Sequence, residues 1–106
     1  MILKIKNKKI EIKEYTTFKD RFKSLKFVLD PIDYGIKIPN TRWMTTYYFC
    51  QRVDICITDQ DNKIIYLRPN CKSEKRRFLW QKYNVYYLPL KTCESLNIGN
   101  QLETKK

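Results

Sequence analysis

The sequence predicts an all-β fold, a small single-domain sandwich or barrel with one short helix, and three observations carry that expectation. The run from Val53 to Leu67 alternates Val53, Ile55 and Ile57 against Asp54, Cys56 and Thr58, breaks at the turn formers Asp59 to Asn62, and resumes as a second apolar run from Ile64. Near the start, Leu3 and Ile5, then Ile10 and Ile12, alternate with Lys and Glu on either side of Asn7-Lys8, again with period 2. The composition holds no Ala, two Gly and four Pro against eight Tyr, five Phe and two Trp, so the core is built from rings and Ile rather than from the small residues of a helical bundle. At 106 residues the chain has enough apolar surface for one modest core.

Taken in order, the elements are an opening hairpin guarded by Lys, then a short helix from Phe18 to about Leu25 capped by Thr16 or Thr17, with Phe18, Phe22 and Leu25 at helical spacing. Asp30-Pro31 ends that segment, because the residue before proline is pushed out of the helical region. Tyr34 to Ile38 and Trp43 to Cys50 read as extended. Val53 to Thr58 reads as a half-buried strand hairpinned to the strand that starts at Ile64. Asn84 to Leu90 is a further strand, with Pro89 requiring an edge or a strand end, and a last short strand around Gln101 to Glu103 follows the turn at Asn97 to Asn100.

The formal net charge is +11, from 22 basic and 11 acidic residues. It points to an anionic partner such as nucleic acid or a membrane surface; the competing explanation is a Lys-, Ile-, Asn- and Tyr-rich composition inherited from an AT-rich genome. The surplus sits at the two ends, since residues 38 to 67 carry three groups of each sign. No apolar stretch has the length of a membrane span, and Met1-Ile2-Leu3-Lys4 is broken by charge too early for a secretion signal, so the cytoplasm is the expected location, with export after removal of a leader as the alternative. Cys50, Cys56, Cys71 and Cys93 form no Cys-x-x-Cys pair and the chain has no His, which predicts reduced buried thiols, no metal and no cofactor.

Two clusters stand out as candidate sites. Asp54 is a carboxylate inside an apolar strand and needs a partner or an exit to water; Arg21 on the predicted helix is the expected partner, either pinning helix to sheet or lining a pocket with Thr46 for a small polar ligand. Lys75-Arg76-Arg77-Phe78-Leu79-Trp80, with Arg68, Lys72 and Lys82 nearby, joins phosphate-neutralising charge to rings that can stack a base. Alternation sends Phe78 and Trp80 to one face and Arg77 and Leu79 to the other, which would make Trp80 a core anchor instead. Asp59 and Asp61 are turn residues; the ligands and glycine of a calcium loop are missing. Without His, a Gly-x-Ser-x-Gly elbow or a glycine-rich phosphate loop, no catalytic residue is assigned.

The order of Arg21 with Ser24-Leu25-Lys26, Thr45-Thr46-Tyr47-Tyr48-Phe49, Val53-Asp54-Ile55, Asp59, Ile64-Ile65, Tyr87-Leu88-Pro89 and Gly99-Asn100 resembles the bacterial and archaeal family called domain of unknown function 192, from about Lys9 to Glu103. Ser24, Lys26, Tyr87 and Asn100 depart from the Gly, Met, Glu and Asp of the family pattern, while Arg21, Thr46, Asp54 and Asp59 keep it. The resemblance implies a β-rich single domain and no established activity.

Three functions follow as expectations: a small non-enzymatic β-domain acting as an accessory or interaction module for an unknown protein or small polar ligand; a nucleic-acid binder using residues 68 to 82; and a small-ligand protein or enzyme at an Arg21/Asp54 pocket.

Overall fold

The computed structural model describes residues 2–5, 8–15, 32–45, 51–71 and 76–105, with the backbone alone for 5, 8, 45, 76–78, 80 and 105. Alternating apolar residues build its first two strands, β1 (Ile2–Ile5) and β2 (Lys8–Glu14), into the expected antiparallel hairpin with Leu3 opposite Ile10. β2 then changes partner. Its last three residues run parallel to the start of β3 (Gly35–Thr45), where Glu14 lies opposite Lys37 and their side chains are 3.8 Å apart.

β4 (Val53–Thr58) and β5 (Ile64–Cys71) form the central hairpin, and Asp59 closes it: its Oδ1 accepts from the amides of Asp61 (2.9 Å) and Lys63 (3.0 Å), while Asn62 takes the left-handed φ of 64°. β6 (Arg76–Leu88) pairs with both β3 and β4, and β7 (Glu103–Lys105) pairs with β1. The result is one curled seven-stranded sheet, ordered β5-β4-β6-β3-β2-β1-β7, that forms a half-barrel. Its outer strands meet at one end. Lys63 bridges Gln101, and amides of Ile64, Gly99 and Leu102 donate to the carbonyls of Asn100, Ile64 and Asn62, each at 2.8 Å.

The predicted helix at Phe18–Leu25 lies outside the described residues. Among those described, the one helical element is a 3-10 turn at Thr92–Ser95, and no helix is long and apolar enough to cross a membrane.

Three elements differ from the sequence expectation. β4 is not half-buried: all six residues are buried, because the curl of the sheet lays Leu3, Ile12, Ile64 and Leu102 over its second face beside Cys56, Tyr86 and Leu88. Val53, Ile55 and Ile57 point instead into a larger cluster with Ile36, Ile38, Val85 and Tyr87. β3 is a single strand through Asn40, whose left-handed φ of 51° accommodates a bulge between Ile38 and Thr41. β6 begins at Arg76, well before Asn84, and ends at Leu88 so that Pro89 follows the strand without disturbing its ladder.

β6 must also bend. The four residues 72–75 join Cys71 to Arg76 and can reach at most about 18 Å, so the start of β6 returns toward the end of β5. The register locates the bend: from Thr41↔Tyr83 to Trp43↔Phe78, β3 advances two residues while β6 advances five. Met44, beyond it, and Leu79, within the bulged segment, pack into the same cluster as Val53, Ile55 and Cys71. The distal parts of β3 and β6 therefore form a two-stranded ribbon folded over the larger core.

Candidate functional site

Asp54 faces the interior on β4 and is 1% exposed. Its carboxylate is held by two backbone amides: Oδ1 accepts from Asn70 N–H and Oδ2 from Cys93 N–H, each at 2.8 Å. Both amides are made available by unusual backbone. Asn70 has a left-handed φ of 52°, and Cys93 lies in the first turn of the 3-10 helix, whose N-cap residue Lys91 (φ 73°) makes no side-chain capping bond. Asp54 thus caps that turn from a distant strand, in the manner of an N-cap carboxylate. The partner expected from sequence, Arg21, lies outside the described residues, as does Thr46.

Around this clamp the thiols are protected. Cys93 donates its S–H to the Ile55 carbonyl at 3.6 Å, and burial together with the Asp54 charge pushes its pKa up to about 12. Burial also raises the Cys56 thiol and the Tyr86 phenol, whose O–H donates to Asn62 Oδ1 at 3.0 Å. Cys56, Cys71 and Cys93 are buried, as expected; Cys50 is outside the described residues. A surface cleft of about 270 Å³ lies beside Asp54, walled by Pro69, Asn70, Leu90, Lys91 and Glu94, but both carboxylate oxygens already serve the fold.

The ribbon presents a different chemistry. Because Met44 and Leu79 supply its inner face, neighbouring Trp43 turns outward and is 53% exposed, and Arg42, Gln81 and Lys82 are exposed around the bend. Thr41 fixes the backbone there: its hydroxyl accepts from Trp43 N–H and donates to Trp43 C=O, both at 3.2 Å. Gln60 reaches across to donate to the Lys82 carbonyl at 3.3 Å. β3 and β6 together carry Lys37, Arg42, Arg76, Arg77 and Lys82 and no acidic residue.

This fold is found in other solved structures. A protein of unknown function from Novosphingobium aromaticivorans DSM 12444 superposes with a TM-score of 0.78 at 12% identity, covering 97% of this chain and 82% of that one. A candidate transcription regulator from Sinorhizobium meliloti 1021 gives 0.79 at 16% identity, covering 96% and 89%. At these identities the likeness is one of fold. No family model and no curated protein matches the chain.

Of the residues singled out from sequence, Arg76 and Arg77 lie on β6 opposite Thr45 and Met44, and Trp80 lies in the bulged segment between the partners of Trp43 and Thr41, while Lys75 is outside the described residues. Leu79 is the residue of this stretch whose side chain is described, and it is buried in the larger core. Arg68 is on the edge strand β5 opposite Ile55, fully exposed, with its guanidinium bonded to the Tyr66 side chain, which raises its pKa. Trp43 was not among the sequence candidates. Its signal was the Thr-Arg-Trp-Met order, which places an indole beside a cation and out of phase with a core methionine.

Proposed function

We propose that this chain is a non-catalytic binding module that engages anionic partners through the outer face of the β3/β6 ribbon. The observation that carries the reading is a ribbon that gives Met44 and Leu79 to the core and leaves the Trp43 indole half-exposed, with Arg42 and Lys82 exposed at its bend, on two strands free of acidic residues. Among the described residues, the buried acid and thiols support a structural duty: Asp54 is saturated by amides and Cys93 is held protonated. The Asp54 cleft is therefore the weaker ligand site. Nucleic acid is one such anionic partner, a reading compatible with the fold shared by the candidate transcription regulator.

We further propose that the chain is a divergent relative of the domain of unknown function 192 family. What supports this is that the motif residues occupy demanding positions: Asp54 clamps two amides, Asp59 closes the central turn, Pro89 follows the last residue of β6, and Gly99 has a φ of 96°.

The location of the binding face is tested by salt elution from immobilised heparin. Arg42→Glu/Lys82→Glu should elute at clearly lower salt than Lys9→Glu/Lys63→Glu, which makes the same change in net charge on exposed residues elsewhere. Equal shifts for the two double variants would mean that net charge alone drives retention, and would remove the ribbon as the binding face.

A further inference from the structure

We infer that the partner of the ribbon is single-stranded nucleic acid, with the Trp43 indole as a stacking platform for an unpaired base and Arg42 and Lys82 on the flanking phosphates. The inference rests on the ribbon being the binding face and goes further by naming what binds there.

Charge complementarity selects a polyanion, because the charged residues of the ribbon and its bend, Arg42, Arg76, Arg77 and Lys82, are all basic. The aromatic component selects among polyanions. The half-exposed indole leaves part of a flat apolar surface in water; a phospholipid headgroup has no planar ring to lay on it, and a sulfated sugar offers only a puckered C–H face crowded by sulfates. An unpaired base does, and every base has such a face, so recognition by stacking tolerates sequence. In a duplex those faces are already stacked inside the helix and only edges and backbone remain accessible.

The geometry also holds the platform still. Thr41 clasps both the amide and the carbonyl of Trp43, and the buried neighbour Met44 anchors the next residue, so the indole is carried on a fixed backbone rather than on a loop tip. Arg42 adjoins it in sequence, and Lys82 lies in the segment of β6 that bulges between the partners of Thr41 and Trp43. Exposed cations on both strands at the bend supply the charge that the phosphates flanking a stacked base require.

Fluorescence anisotropy of the full chain with a labelled twelve-nucleotide oligo(dT) tests this, alongside a twelve-base-pair duplex and vesicles containing phosphatidylglycerol as competitors. The single strand should be preferred to both. Trp43→Ala and Trp43→Leu should weaken its binding by about 10- to 100-fold, whereas Trp43→Phe should restore most of the affinity, and all three should elute from heparin as the unaltered chain does. Leu keeps apolar bulk without a ring, and far-UV circular dichroism reports whether each variant is folded. Arg42→Glu/Lys82→Glu should lower the slope of log K against log salt by about 0.7 for each phosphate that is no longer neutralised. Unchanged oligo(dT) affinity in folded Trp43→Leu, or preference for the duplex or the vesicles, would overturn the inference while leaving the anion-binding face intact; failure of the heparin comparison would remove that face itself.

Discussion

Asp54 illustrates how one ionised side chain is tolerated in an apolar strand. An isolated buried carboxylate is untenable, and here each oxygen meets an amide that the backbone conformation of Asn70 or the 3-10 turn leaves without a ladder partner. Asp54→Ala should therefore lose about 2–4 kcal/mol in urea denaturation, since a hydrogen bond to a charged group contributes about 1.5–3 kcal/mol and the buried Cys93 amide would be left unsatisfied. Asp54→Asn keeps one acceptor oxygen but turns an NH2 group toward the other amide, so it should fall between alanine and the unaltered chain. A loss below about 0.5 kcal/mol for the alanine variant would show that the clamp contributes little. The sequence announced that this acid needed a partner. It could not announce which, because backbone amides are present at every residue and become available only where the fold turns them inward.

At the scale of elements, both β-hairpins were legible because alternation and turn residues are local signals, as Leu3 against Ile10 and the Asp59 turn attest. The long strands were not. β6 mixes basic and aromatic residues across a five-against-two bulge, so its period is lost at the bend, and the exposure of Trp43 depends on a fold-over that no window of sequence contains. The junction of β2 with β3 has its own requirement. A Cβ on Gly35 would lie 2.5 Å from Ile12 Cδ1 and 2.8 Å from Leu88 Cδ2, inside the smaller core. Gly35→Ala should destabilise by about 1–3 kcal/mol through overpacking. In an Ile12→Val background, which deletes the nearer methyl, the same substitution should cost measurably less, and a double-mutant cycle in urea reads that coupling. Strict additivity would place the strain elsewhere.

Considered as a whole, the molecule keeps the buried thiols of Cys56 and Cys93 and the Tyr86 phenol neutral around the one buried carboxylate. Cys93, ordinarily near 9.0, is pushed up to about 12 by burial and the Asp54 charge, and Cys56 and Tyr86 are raised in the same sense by burial. The folded chain holds these protons more tightly than the unfolded one, so their contribution is complete below about pH 9 and declines as pH climbs toward 12. Thermal melts across that range should show a falling Tm, with a shallower fall in Cys93→Ala; a slope unaltered by that substitution would assign the effect to other groups. The pairing of Ile2–Lys4 with Glu103–Lys105 has a kinetic corollary. During synthesis the first strand emerges long before its outer neighbour exists, and the Gln101 bridge to Lys63 is equally late. The nascent domain must carry an unsealed seam past the ribosome exit until residue 105 is clear, a period in which the β1 edge is open to strand exchange with a second chain.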